Sequence, residues 1–106
     1  MKMISEMTND ELDEHIARLR GWKQTHGIDK FGEYYAWLNP RGHIAKLPSP
    51  TTDPRYAMEL LEEMLVGGGH YLRYIPERKA FGVGRIENEN AYRTISIAYA
   101  QWKGEK

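Results

Sequence analysis

The 106-residue sequence contains no cysteine, which excludes disulfide bonds, thiolate nucleophiles and cysteine-based zinc sites. It also lacks an excess of either charge, because 15 Lys and Arg balance 15 Asp and Glu. A general nucleic-acid-binding protein needs surplus cations to neutralise phosphates. No apolar run approaches the ~20 residues of a membrane span, and residues 1–7 lack a signal-peptide apolar stretch. We therefore expect a cytoplasmic protein that binds neither nucleic acid nor membrane.

The length and the composition predict one compact domain over residues 1–106, with residues 1–7 and 104–106 frayed. Hydrophobic residues make up 41% of the chain and charged residues 28%. A chain of this size buries roughly 65% of its unfolded surface on folding. That is enough for a core without metals or disulfides, so we expect no cofactor.

The first helix has a clear start signal. Thr8 and Glu11 form a capping box, in which each side chain reaches the backbone amide of the other residue. Apolar residues then recur at helical spacing, with acidic residues early and basic residues late, as the helix dipole favours. This pattern predicts a helix over about 9–25, ended near Gly27.

Two further helices have similar signals. Asp53 as N-cap and Pro54 at the first helical position predict a second helix, ended by residues 67–69. Asn88 and Asn90 provide polar caps before a third helix. The apolar face predicted for the third helix consists of Ala91, Ile95, Ala98, Tyr99 and Trp102.

Strand and turn signals between these helices predict two hairpins. The predicted strands are residues 33–38, 43–47, 70–75 and 80–86. Residues 39–42 and 76–79 are the turns, and the proline-rich residues 48–50 lead the chain away from the sheet. The order α-β-β-α-β-β-α predicts an α+β fold with an antiparallel four-stranded sheet packed by helices. We expect a three-layer α/β/α sandwich.

No pattern in the sequence is typical of a catalytic or metal site. The pair Glu14 and His15 lacks the second histidine of a zinc-protease helix, because Leu19 stands at that position. Residues 67–69 follow a helix, and the glycines of residues 82–84 lie in a predicted strand, so neither resembles a phosphate loop. We expect no enzyme activity, no catalytic residues and no metal ligands.

The aromatic content is unusual, with seven Tyr and three Trp against two Phe. The main expectation for the aromatic strand 33–38 is that helices cover both of its faces and its aromatic residues belong to the core. The alternative is that some of them line a recognition surface, where Tyr and Trp are frequent. Tyr35 and Trp37 share one strand face. Tyr71 and Arg73 share another, with Arg85 on the opposite strand, where they could bind a planar anion or an acidic partner. These five residues are the candidate binding residues.

Several segments together resemble the phage ABA-sandwich domain family, small proteins of bacteriophages and prophages with an antiparallel sheet between helical layers. The segments are residues 21–23 (Gly-Trp-Lys), 34–37, 48–53 with 57–61, and 93–100. Members often carry Pro where this chain has Tyr92 or Arg93. The resemblance implies a phage-encoded accessory protein in the host bacterial cytoplasm, and it supplies no catalytic residues.

The resemblance and the aromatic content predict a non-catalytic protein that binds and modulates a host or defence factor. The partner would be a host bacterial protein, and open sheet edges make self-association a further expectation. A protein that binds and sequesters a nucleotide signal is the alternative, which needs a pocket with aromatic walls and convergent cations. A minimal hydrolase is the second alternative.

Overall fold

The computed structural model describes residues 3–104, which form an α+β structure with three α-helices and two antiparallel sheets. The helices are α1 (Asn9–Leu19), α2 (Pro54–Gly68) and α3 (Ala91–Gly104). The strands are β1 (Lys23–Asp29), β2 (Gly32–Leu38), β3 (Leu72–Ile75), β4 (Ala80–Val83) and β5 (Ile86–Asn88). The fraying predicted for residues 1–2 and 105–106 lies outside the described residues.

Helix α1 begins as predicted and ends earlier than predicted. Both hydrogen bonds of the Thr8–Glu11 capping box are present. The helix ends at Leu19 because Gly21 adopts a left-handed conformation with φ +95°. The amide of Trp22 then donates to the carbonyl of Ala17 at 3.0 Å, which completes a Schellman cap. The prediction of a helix to residue 25 is therefore wrong.

The early end of α1 releases residues 23–29 to form β1, which pairs antiparallel with β2. The prediction that β2 pairs with residues 43–47 is wrong, since that segment contributes a single bridge between Ile44 and Leu38. The turn after β2 is confirmed, with the Asn39 side chain accepting from the amides of Arg41 and His43. Pro48 and Pro50 then follow, and neither has a backbone N–H to donate to a strand ladder.

Helices α2 and α3 are confirmed with their predicted caps. The Asp53 side chain accepts from the amide of Arg55, and Gly69 ends α2 at φ +70°. The Asn90 side chain accepts from the amide of Arg93 at the start of α3. The predicted face of α3 is too narrow, because all seven residues 94–100 are buried. Neighbours therefore surround the middle of this helix.

The second sheet has the order β3-β4-β5. Pairing of β3 with β4 is confirmed, whereas the predicted strand 80–86 is broken by a tight turn at Gly84, which has φ +59°. The chain thus has a two-stranded and a three-stranded sheet, and the single four-stranded sheet is not confirmed. A third strand arises because the glycine lets the chain reverse within a segment whose strand pattern is otherwise continuous.

Helix α3 lies at the centre of the packed body. It contacts α1 and α2 as well as β4 and β5, so helices and the three-stranded sheet share one core around it. The buried members of this core are Leu12, Ile16, Ala57, Leu60, Met64, Val83, Ile95, Ile97, Ala98, Tyr99 and Ala100. The predicted α/β/α layering is not confirmed, because β1 and β2 contact chiefly each other.

Two polar anchors tie chain segments to this body. The buried Asp13 carboxylate accepts hydrogen bonds from the backbone amide of Thr51 at 3.1 Å and from its hydroxyl at 3.0 Å. The Arg93 guanidinium donates to Asn9 and to the carbonyls of Ser5 and Met7. Over residues 3–104, none of the helices is both long enough and apolar enough to cross a bilayer.

Candidate functional site

We call residues 23–38 the arm: strand β1, the loop of residues 30–31 and strand β2. None of its strand residues is buried, and the body contacts it only sparsely. The molecule measures 57 × 26 × 25 Å, and strands of seven residues extend about 23 Å. The arm therefore forms a two-stranded ribbon that offers both faces, the outer edge of β1 and the outer edge of β2 beyond its base to solvent.

The tip of the arm is apolar and structurally defined. The Asp29 side chain accepts from the amide of Phe31 at 2.8 Å, and Gly32 adopts φ +117° to close the loop. The Phe31 ring is 87% exposed and Ile28 is 74% exposed. The ammonium group of Lys30 lies 5.1 Å from the Phe31 ring centroid. The backbone thus holds two large apolar side chains in water at the end of the ribbon.

One face of the arm carries a stacked aromatic pair. His26 lies opposite Tyr35 in the register, and their rings stack with centroids 4.8 Å apart. The imidazole is also 3.7 Å from the carboxylate of Glu33. Tyr35 nevertheless stays 66% exposed. Contacts within the ribbon therefore orient this ring without removing it from solvent.

The opposite face depends on a glycine. Gly27 lies opposite Tyr34, and the Tyr34 ring occupies the space in which a Cβ of residue 27 would lie. The ring rests on bare backbone, which fixes it across the strand. Gly27 therefore has a role in the arm and does not end α1 as predicted. Tyr34 remains 44% exposed in this position.

The base of the arm is where it joins the body. The Arg18 guanidinium of α1 lies 4.9 Å from the centre of the Trp37 ring, a cation–π contact. The amide of Ala45 donates to the Trp37 carbonyl at 3.0 Å, beside the bridge between Leu38 and Ile44. Exposure falls toward this end of β2, where Ala36, Trp37 and Leu38 are half-buried. The arm is thus anchored at one end.

The structure separates the five candidate binding residues into two groups. Tyr35 and Trp37 lie on one face of the arm, Tyr35 exposed and Trp37 at the anchored base. Tyr71, Arg73 and Arg85 belong to the three-stranded sheet: Tyr71 precedes β3, Arg73 lies in β3, and Arg85 lies in the β4–β5 turn. The five residues therefore do not form one surface.

Arg73 is engaged within the sheet. It lies opposite Gly82, and its guanidinium covers the face that this glycine leaves open. Its Nη2 donates to the carbonyl of Gly84 at 2.8 Å. Tyr71 is 62% exposed, and Arg85 is exposed beside Gly84. A guanidinium already used to support the β4–β5 turn is a weaker candidate for ligand binding than the exposed Arg85.

Sequence reasoning missed Ile28, Phe31 and Tyr34 as candidate site residues. The prediction of a helix to residue 25 left no place for a strand before β2. The turn signal was nevertheless present: Asp29 and Gly32 occupy the first and fourth positions of a four-residue turn, where these residue types are favoured. Reading that signal first would have predicted the hairpin.

Electrostatics within the body are those of a packed fold. Burial raises the pKa of the Asp13 carboxyl despite its hydrogen bonds from Thr51. Burial and then the neighbouring Glu63 carboxylate raise the pKa of the Tyr99 phenol, which donates to that carboxylate at 3.0 Å. Lys103 also contacts Glu63, at 3.1 Å. Among residues 3–104, no three His, Cys, Asp or Glu side chains are grouped so that they could hold a metal ion.

No protein-family model matches the chain, and searches of curated proteins and of solved structures found no match. The resemblance to the phage ABA-sandwich domain family is therefore untested and stays a prediction. The arm, with its exposed aromatic side chains and open edges, is the candidate site that the geometry defines.

Proposed function

We propose that this chain is a non-catalytic binding protein that recognises a partner protein through the arm. The observation that carries the proposal is the exposure of Ile28, Phe31, Tyr34 and Tyr35 on a ribbon with little support from the body. Single exposed apolar residues are ordinary on protein surfaces, but a group of them on one projecting element is typical of an interaction site.

The arm has the physical properties of a recognition element. Aromatic rings give a large contact area at little cost in side-chain entropy. An isolated two-stranded hairpin is marginally stable in water, so a partner that covers its faces also stabilises its backbone. The outer edges of β1 and β2 carry backbone groups that a strand of the partner can pair with.

The charge of the arm indicates the character of the partner surface. Lys23 and Lys30 are balanced by Asp29 and Glu33, so the arm has no net charge when His26 is neutral. Such a surface gives neither the cationic excess that nucleic acid requires nor strong electrostatic steering. The partner surface that fits it is apolar, with a polar rim.

The phage setting that the resemblance implies points to a host bacterial protein as the partner. If the resemblance to phage proteins reflects descent, the partner is a host bacterial protein in the cytoplasm, and binding modulates it. The exposed arm supports a binding role in this setting, whereas its side chains are not arranged around a reacting centre.

The experiment compares two baits, in each of which two exposed apolar residues are replaced by serine. The arm variant Ile28→Ser with Phe31→Ser removes the tip, and the control Leu65→Ser with Val66→Ser removes exposed apolar residues of α2. We expect a bacterial protein that co-purifies with the wild type and with the control but not with the arm variant. Calorimetry with the purified partner then checks that binding is direct.

Two outcomes would contradict the proposal. Equal capture by both variants would show that the arm is not the binding surface. A melting temperature of the arm variant well below that of the control would show that Ile28 and Phe31 act in stability. If the wild-type bait captures only further copies of this chain, the partner is a second copy and not a host protein.

A further inference from the structure

A cleft of about 440 Å³ lies on the body, away from the strands of the arm, between the end of α2, the β4–β5 turn and the end of α3. Its floor is apolar and buried, formed by Met64, Val83 and Ala98. Its rim carries polar and aromatic side chains, which are His70, Arg85, Gln101 and Trp102. This volume lies within the range of roughly 300–1,000 Å³ that small-molecule pockets occupy.

Glycines determine the shape of the cleft. A Cβ at Gly68 would lie 2.9 Å from the indole nitrogen of Trp102 and 2.9 Å from the His70 ring, and a Cβ at Gly67 would lie 3.0 Å from the Trp102 ring. The two rings can therefore lie close against the backbone at the end of α2. They meet edge to face, with centroids 6.4 Å apart. The aromatic wall is thus held in place by the fold.

The charge of the lining distinguishes this cleft from two other cavities among residues 3–104. Its lining includes Arg85 and His70 and contains no carboxylate. Arg20 lines both of the other cavities, but carboxylates outnumber it: Asp13 and Glu59 in the cavity between α1 and α2, and Glu59, Glu62 and Glu63 in the one beside it. A negatively charged ligand is therefore favoured in this cleft and disfavoured in the others.

Arg85 is available for such a ligand. Within residues 3–104 its guanidinium makes no hydrogen bond, ion pair or cation–π contact. By contrast, Arg73 donates to Gly84, Arg78 forms a bidentate pair with Glu87, and Arg93 donates to Asn9. A guanidinium presents parallel donors that match a phosphate or a carboxylate.

We propose that this cleft binds a small planar aromatic anion. The ring of the ligand packs between Trp102 and the apolar floor, and its phosphate or carboxylate pairs with Arg85. The side chains of Gln101 and His70 provide hydrogen-bonding groups for the ring edges. This inference is independent of the arm, since the two sites have no side chain in common.

The test is NMR titration of the full chain with four separate probes. Adenosine 5′-monophosphate and indole-3-acetate each combine a ring with an anion, and adenosine and inorganic phosphate supply one part each. We expect a ring with an anion to give saturable shifts at the amides of Gly84 and Gln101 and at the Trp102 indole. Adenosine alone and inorganic phosphate alone should each bind at least about tenfold more weakly.

The two ring-bearing anions also identify the anionic group. Binding of both supports the proposed class as a whole. Binding of adenosine 5′-monophosphate alone, or of indole-3-acetate alone, supports it and assigns a phosphate or a carboxylate to Arg85.

Matched charge reversals test the role of Arg85. Arg85→Glu should lower the affinity for the ring-bearing anion by at least about tenfold, because it places a carboxylate where the anion lies. Arg41→Glu reverses the charge of another exposed arginine, in the turn after β2, and should leave the affinity unchanged. The proposal is overturned if neither ring-bearing anion binds at millimolar concentration, if inorganic phosphate binds as tightly as they do, or if Arg85→Glu leaves binding unchanged.

Discussion

Helix α3 and the arm are stabilised in opposite ways. Residues 94–100 of α3 are buried without interruption, whereas no residue of β1 or β2 is buried. The helix is held by removal of apolar surface from water on all sides. The arm is held by its own backbone ladder and by local contacts such as Tyr34 on Gly27. One chain thus combines a buried central helix with an element whose side chains remain exposed to a partner.

Truncation of a buried side chain of α3 should lower the stability most. Ile95→Ala removes a side chain that is 1% exposed, and we expect the free energy of unfolding to fall by about 2–5 kcal/mol. Ile28→Ala deletes the same atoms from the arm and should change it by less than about 0.5 kcal/mol. Urea denaturation measures both. Equal losses would show that the arm belongs to the cooperative core.

The next effect concerns the polar anchor beneath α1. Thr51→Val removes the hydroxyl that donates to Asp13 and leaves a buried carboxylate oxygen without that partner. We expect a loss of about 1–3 kcal/mol in the free energy of unfolding. Thr52→Val, at the exposed neighbouring position, is the control and should cost much less. A loss at Thr52 as large as that at Thr51 would contradict a specific role for this hydrogen bond.

The same contact between Asp13 and Thr51 should make the stability of the fold depend on pH. Because burial raises the pKa of Asp13 above its usual 3.8, the folded chain binds this proton more tightly than the unfolded chain. The stabilisation is complete below the unfolded pKa and is lost as pH rises through the folded pKa. The unfolding free energy of wild type minus that of Asp13→Asn should therefore fall as pH rises from below the unfolded pKa of 3.8 through the higher folded pKa. A difference that increased with pH would show a lowered pKa instead.

The smallest effect on the whole molecule is expected within the arm. Gly27→Ala places a methyl group where the Tyr34 ring lies, so the ring must move and the ribbon should open more often. Amide exchange in β1 and β2 should accelerate while exchange in α3 stays unchanged. In a Tyr34→Ala background the same change should have little effect, since the ring is absent. Faster exchange in α3 would show that arm and body are coupled.

Much of the body was predictable because its signals are local. The capping box at Thr8, the Asp53–Pro54 start of α2 and the asparagine caps of α3 each involve neighbouring residues, and all three are confirmed. The end of α1 was missed because Trp22 continues the apolar spacing of the helix. The left-handed conformation of Gly21 and the Schellman cap end the helix before that spacing can continue.

The candidate site was predictable only in part. Sequence reasoning found Tyr35 and Trp37 but expected β2 to be covered on both faces. The arm is exposed because other elements pack against α3 and fill the core. Which elements do so depends on the packing of the whole body. The cleft beside Trp102 likewise joins residues from α2, the β4–β5 turn and α3, which are far apart in the sequence.

Residue identity, or neighbours within one turn, was enough to predict where α2 and α3 begin, the α+β class and the absence of cysteine chemistry. Packing of the whole chain determines that the two sheets stay separate, that α3 is buried on all sides, and that the aromatic side chains of the arm face water. These outcomes depend on competition between distant segments for one limited core, and local patterns do not record the result of that competition.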